Sequence, residues 1–310
     1  MPVDPQAAIV NAKAAKELGY THLRYLQDGG FSRVSLVKKN GDNTEVVMKR
    51  LTAKGQDVCE AECLIHGAMS QSGNRNIINY ITDVDYEGDK IIFVEYANES
   101  DLKEHIPFGL SMKTINMYFK DLLTGLKHIH MLGHCHRDIK SENLFISDGV
   151  LKIGDFGLAV RFRFGGTESK VRSGYGTKIT FAPENFEKER VDGPALDVWS
   201  AGIVLFNMLT NKLPWKRAQP TDPDFSEYLA NPGWSGPEFK NIEESSCDGP
   251  RIMKLIRKIL QVDVSKRISV DEILQDEWVT NFKRTYEQKI LEEAAELPSK
   301  RTRNVRNSHQ

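Results

Sequence analysis

The hydrophobic patterning of this chain changes character near residue 97, and the change divides it into two differently built parts. Residues 23–50 contain three strand-like runs, LRYLQ, RVSLVKK and TEVVMKR. Period-two alternation puts apolar side chains on one face of a half-buried strand. Asn40-Gly41, between the last two runs, is a strong hairpin signal. IINYITDVDY and KIIFVEYA form a further strand pair around Glu87-Gly88-Asp89, and residues 56–69 read as a helix. Beyond residue 97 the period becomes helical. In residues 111–132, Ile115, Phe119, Leu122, Leu126 and Ile129 share one stripe, with Ser111 placed as N-cap and Gly133 as stop. Helical stretches recur at 195–210, 250–261 and 270–281. The expected class is α+β, a small antiparallel β-rich part followed by a larger, mainly helical one.

Composition narrows the function classes. With 310 residues, 40% of them apolar, the chain can bury one large or two medium cores. Charge is nearly balanced, 42 Lys and Arg against 43 Asp and Glu, which argues against wholesale nucleic-acid binding. The first residues carry Asp4 and Glu17, no basic n-region and no long apolar core, which argues against a secretory signal. AGIVLFNML at 201–209 is too short to span a bilayer and reads as a buried helix. Four scattered cysteines do not make a disulfide scaffold, so a reducing interior, nucleus and cytoplasm, is expected. The basic end, SKRTRNVRNSHQ, lacks apolar periodicity and is expected to fray.

Residues 128–145, HIHMLGHCHRDIKSENLF, hold four histidines and a cysteine within nine positions. A metal site is the first alternative to weigh. His128 and His130 are two apart on a helix and point to different faces, and no CxxC or HExxH pair accompanies His134 and His136. The residues just past them are more specific. HRDIKSEN places Asp138, Lys140 and Asn143 within six residues, and KIGDFG brings Asp155 a short hairpin later. Phosphoryl transfer needs such a set. A carboxylate orients the attacking hydroxyl, a cation offsets charge on the moving group, and hard oxygen ligands hold Mg²⁺.

With VVMK upstream and FAPE downstream, these strings resemble the eukaryotic protein kinases over roughly residues 20–282. The resemblance implies a two-lobed kinase fold: an extension 1–19, an N-lobe and hinge 20–97, a C-lobe 98–282 and a basic tail 283–310. ATP would lie between the lobes, beside the hinge Glu95-Tyr96-Ala97, with Val94 gating the back of the pocket. The resemblance assigns Lys49 to the α- and β-phosphates and a helical acid to Lys49. Glu62 is preferred to Glu60 for its position on the ridge leading to Met69. Asp138 matches the catalytic base, Lys140 the lysine that steadies the γ-phosphate, and Asn143 and Asp155 the Mg²⁺ ligands. Leu26, Gly29, Val34, Val47, Ala97, Asp101 and Phe145 would complete the nucleotide site. Thr177 matches the threonine tying base to lysine, and His136 packs beneath the metal-binding turn. Glu184 should pair with Arg267, and Asp197 should anchor the catalytic loop.

Several segments are similar to the checkpoint kinase 1 branch of the serine/threonine kinases: DFGLAVRFRF, DVWSAGIVLFNMLTNKLPW, YLANPGW and KILQVDVSKRISVDEILQDEW. That branch prefers arginine three residues before the phosphorylated Ser or Thr, and Asp101 and Glu142 match the acids that would receive it. The resemblance therefore implies a monomeric enzyme acting on basic protein substrates in checkpoint signalling, without membrane or direct nucleic-acid partners. Some positions depart from the pattern. Gln27 and Ser32 replace two glycines of the glycine-rich loop, which suggests weakened ATP affinity. Asn98-Glu99-Ser100 replaces a glycine-rich turn after the hinge, and Lys178-Ile179-Thr180 replaces Leu-Pro-Tyr. A pseudokinase scaffold is the rival function, supported by the altered loop and opposed by Lys49, Asp138, Lys140, Asn143 and Asp155. A small-molecule kinase is a weaker third option.

Overall fold

A computed structural model describes residues 5–29, 32–51, 56–231, 236–245 and 248–280. Strands β1 (Tyr20–Gly29), β2 (Ser32–Lys39), β3 (Glu45–Leu51), β4 (Tyr80–Tyr86) and β5 (Asp89–Glu95) form one sheet. Their order is β1-β2-β3-β5-β4, with every pairing antiparallel. The β4–β5 turn uses Glu87 and Gly88, at φ 50° and 87°, and both residues of such a tight turn need positive φ. The β2–β3 connection is wider than the expected Asn40-Gly41 turn. Lys39 N–H donates to Thr44 O at 2.9 Å, and Asp42 Oδ1 accepts from Thr44 N–H at 2.9 Å. This Asx-type contact holds a broader loop, with Gly41 and Asn43 in positive φ.

Alternation sorts the sheet's two faces. Val37, Val46, Met48, Ile91 and Phe93 are buried on the outer face, under Ala14 and Ala15 of helix α1 (Pro5–Glu17). Sequence reasoning gave residues 1–19 no helix. Inside the contact Asn11 Nδ2 donates to Ser35 Oγ at 3.0 Å. At its edge Tyr86 donates to Glu17 at 2.6 Å. The opposite face meets helix α2 (Gln56–Ser70), where Leu51, Cys59, Cys63 and Ile92 cluster.

The second part is built on helices. After the short α3 (Leu102–His105), helix α4 (Met112–Met131) starts where Ser111 Oγ accepts the Thr114 N–H at 3.1 Å. Gly133, at φ 76°, lies just past its end. All five residues of the predicted stripe are buried. Four short strands come next: β6 (His134–Cys135), β7 (Leu144–Ser147), β8 (Val150–Ile153) and β9 (Val160–Arg161), with β6 pairing β9 and β7 pairing β8. The next segment holds β10 (Arg163–Phe164), β11 (Thr167–Glu168), β12 (Val171–Arg172), α5 (Glu184–Glu187) and β13 (Arg190–Val191). Helix α6 (Gly193–Thr210) is buried on nearly every side, which explains its unbroken apolar run. Helices α7 (Pro223–Ala230), α8 (Pro237–Ser245), α9 (Gly249–Ile259) and α10 (Val270–Leu274) complete the fold.

Ser269 and Glu272 form a capping box at the start of α10. That helix is shorter than expected. Asp276 Oδ1 accepts the Trp278 N–H at 3.1 Å and starts a separate turn at 277–280. Gly30 and Phe31, part of YLANPGW and the basic end lie outside the described residues. No described helix is long and apolar enough to cross a membrane.

Candidate active site

Asp138 lies on the loop between β6 and β7, and its carboxylate is held from three sides. Thr177 Oγ1 donates to Oδ1 at 2.7 Å, Asn143 Nδ2 donates to Oδ2 at 3.0 Å, and Lys140 Nζ lies 3.0 Å from Oδ2. Lys140 also donates to Thr177 Oγ1 at 2.9 Å, closing a triangle. The loop itself hangs from α6, where the Asp197 carboxylate accepts the backbone N–H groups of His136 and Arg137, both at 2.8 Å. His130 Nε2 joins the same carboxylate at 2.9 Å. His128 reaches Met69 O at 3.0 Å, so the helix-end histidines join α4 to its surroundings. His136 is wholly buried. Its Nδ1 accepts the Asp138 N–H at 3.2 Å, so Nε2 carries the proton and donates to Gly154 O at 3.0 Å.

Lys49 spans the two parts of the chain. Its Nζ donates to Glu62 Oε1 of α2 at 2.6 Å and to Asp155 Oδ1 at 2.8 Å. Glu62, not Glu60, is therefore the helical partner. Burial disfavours the Lys49 charge, but Asp155 and Glu62 overcome it and raise its pKa. Reciprocally, the Lys49 charge, against burial, holds the Asp155 carboxyl well below the usual carboxylate range. Asn143 Nδ2 is committed to Asp138, which leaves its amide oxygen to face a cation. Two hard oxygen donors, Asn143 and Asp155, fit Mg²⁺, which takes one or two protein ligands and completes its shell with water and phosphate.

Behind this pair four rings form a chain of edge-on and tilted contacts that sequence reasoning missed. Phe156 is buried with its centroid 4.7 Å from His66 and 5.2 Å from His136, and His66 is 5.5 Å from Tyr80. His66 Nε2–H donates to Ile78 O at 2.8 Å. Its only sequence signal was its place one helical turn after Glu62.

The sheet register groups most of the expected nucleotide-site residues. Val34 pairs with Lys49, and Val47 with Val94, so all four project to the face that meets α2 and Asp155. Leu26 is the extra residue of a bulge between Tyr25 and Gln27. Gln27 pairs with Val34, and Gly29 with Ser32, in extended strands, so position 27 does not need glycine's conformational freedom. Glu95 ends β5, and its side chain faces Lys152 at 2.6 Å rather than the cleft. Ala97 is buried. Asp101 bridges to Phe145, and Phe145 lies against Gly154, where an added Cβ would come within 2.8 Å of the ring. After the hinge, Asn98 and Glu99 turn away to cap the β7–β8 turn at Asp148 and Gly149, and Ser100 takes φ 69°.

Asp101 caps α3 by accepting the Glu104 N–H at 3.2 Å. Glu142 forms an ion pair with Lys103 at 3.0 Å, a partner that sequence reasoning did not anticipate. The scaffold pair is present: Arg267 binds Glu184 through two bonds, at 2.6 and 3.0 Å, and its guanidinium lies 4.9 Å from the Trp199 ring.

A two-part chain with a fixed carboxylate, a lysine bridging two acids and paired oxygen donors between its parts defines a phosphotransferase-type site. A family profile described as the protein kinase domain matches residues 20–279. The chain belongs to that family. It is 34% identical over 269 residues to serine/threonine-protein kinase chk-1 of Caenorhabditis briggsae, covering 84% of this chain and 53% of that protein. The similarly named protein of Caenorhabditis elegans is 34% identical over 284 residues, covering 88% and 55%. Serine/threonine-protein kinase grp of Drosophila melanogaster is 29% identical over 268 residues, covering 84% and 50%. The chain thus spans about half the length of these relatives.

Proposed function

We propose that the chain is an active, ATP-dependent protein serine/threonine kinase domain that favours substrates with arginine three residues before the acceptor, in checkpoint signalling in nucleus and cytoplasm. The observation that carries this reading is Lys49, bonded at once to Glu62 and Asp155 across the two parts of the chain. The names of the relatives support the checkpoint role. The grouping of Asp101, Glu104 and Glu142 supports the basic-substrate preference: burial, and then the charges of Glu104 and Glu142, disfavour ionisation of Asp101.

In the proposed reaction Asp138 orients the acceptor hydroxyl and takes its proton as the bond from that oxygen to the γ-phosphorus forms and the bond from phosphorus to the β–γ bridging oxygen breaks, releasing ADP. Thr177, Lys140 and Asn143 fix the carboxylate, so little reorganisation is needed as the proton arrives. Lys140 also offsets charge on the transferring group, and Lys49 holds the α- and β-phosphates. Asn143 and Asp155 would hold Mg²⁺, which when bound would supply positive charge to offset that developing on the transferring phosphate. The scaffold alternative draws on the altered glycine-rich loop. Transfer of labelled γ-phosphate to an Arg-x-x-Ser peptide decides between them. Transfer supports the enzyme, and ATP binding without transfer supports the scaffold.

A further inference from the structure

The two acids proposed to receive the substrate's basic residue are not equivalent. Asp101 spends an oxygen on the Glu104 N–H at the start of α3. Glu142 already has a cation: Lys103 Nζ donates to its Oε1 at 3.0 Å, across 39 residues of sequence. Lys103 works against partial burial and keeps the Glu142 carboxyl below its ordinary value. The Lys103 side chain is 60% exposed and that of Glu142 41%, so the pair stands open to solvent and can exchange. Glu104, also exposed, adds a third acid beside them.

We propose that Lys103 is a specificity-determining residue whose ammonium occupies Glu142 in the free enzyme, so that a substrate cation must displace it and arginine does so better than lysine. This rests on the proposed role of Asp101 and Glu142. Binding becomes an exchange of one ion pair for another. A substrate lysine trades one ammonium for another at Glu142 and gains little. A substrate arginine offers a planar fork that can engage Glu142 and Asp101 together, which a single ammonium cannot do. Lys103 thus raises the threshold for weakly basic substrates without touching the transferring phosphate. It is a positioning residue at the rim, outside the catalytic set.

The test uses the full chain and three peptides identical except for Arg, Lys or Ala three residues before the serine. For Lys103→Gln we expect the KM of the Arg peptide to fall about two- to fivefold, the range for an exposed ion pair. The Lys-peptide KM should fall by a comparable factor, because either cation displaces the same ion pair, so that the preference for both over the Ala peptide grows while kcat and the Ala peptide stay unchanged. In a Glu142→Gln background, Lys103→Gln should have no further effect. If Glu142→Gln raises the Arg-peptide KM but Lys103→Gln leaves it unchanged or raises it, the exchange is refuted and the substrate preference stands. If Glu142→Gln and Asp101→Asn both leave the Arg peptide unaffected, the substrate preference itself fails and takes the exchange with it.

Discussion

At the scale of single residues, Asp138 is the group whose chemistry no neighbour can replace. An asparagine in its place would keep the shape and lose the proton acceptor, while Lys49 and Asp155 would be left intact. Asp138→Asn is therefore expected to lower kcat by about 10²–10⁴-fold, the usual span for a general base, with nucleotide affinity retained. Turnover and nucleotide binding measured on one preparation check this, and near-normal turnover would remove Asp138 from the role. His66 makes a different kind of prediction. It is 4% exposed, and burial lowers its pKa to about 4. Its folded pKa is thus depressed below the value of about 6.5 expected in the unfolded chain. Between those two values the unfolded state binds more protons, so stability falls as pH is lowered from 6.5 towards 4 and rises as pH is raised. From pH 7 to pH 5 the contribution is about 2 kcal/mol. Urea unfolding at both pH values, in the natural chain and in His66→Leu, isolates it. Equal pH dependence in the two proteins would mean that the ring is not held neutral.

At the scale of elements, α1 is a structural part of the sheet, although it lies outside the 20–279 match to the kinase family. Ala14 and Ala15 are fully buried against Met48 and Phe93, so a charge there has no solvent and no partner. Ala14→Asp is expected to destabilise the chain by about 2–4 kcal/mol. The check is denaturant unfolding beside Lys16→Asp as a control: Lys16 lies in the exposed last turn and should change stability by less than about 0.5 kcal/mol. Equal losses in both would show that α1 does not pack as described. Why α1 escaped sequence reasoning is physical. Its buried face is Asn11, Ala14 and Ala15, too small and polar to stand out as a stripe. By contrast, α4 buries the five large residues of its stripe, β3 alternates along most of its length, and β5 is a short continuous apolar run. Most motif contacts were also legible, because Asp138, Lys140, Asn143 and Asp155 sit in short strings that carry the resemblance to the protein kinases. Contacts between distant segments that no family motif carries were not. Lys103 reaching Glu142, and Glu95 turning to Lys152, depend on how the elements pack, and nothing local marks them. The wider β2–β3 loop and the early end of α10 were missed for a related reason. An Asp side chain in each case captured a backbone N–H that a propensity pattern leaves unassigned.

At the scale of the whole molecule, the question is whether the assembled site needs a modification to become active. Three frames meet here without one: Lys49 holds Glu62 and Asp155, the rings from Tyr80 to His136 touch in series, and Asp197 carries the catalytic loop. The segment from Asp155 to Glu184 is tied down by backbone pairing, β9 to β6 and β12 to β13. Arg137 is the residue that in many kinases would await a phosphate. Its guanidinium already donates to Leu158 O at 2.8 Å and to Arg172 O at 3.2 Å, and lies 4.7 Å from the Tyr175 ring. Arg163, further along, is met by Glu168 at 2.7 Å. A phosphate on Thr167, Ser169, Ser173 or Tyr175 would have to compete with these partners to capture Arg137. The expected outcome is full activity from unmodified protein. Chain made in cells lacking protein kinases, shown by mass to carry no phosphate, should give a linear progress curve from the first turnover. A lag that vanishes after preincubation with ATP would mean that the segment must be phosphorylated first, and that the contacts of Arg137 hold it short of its working form.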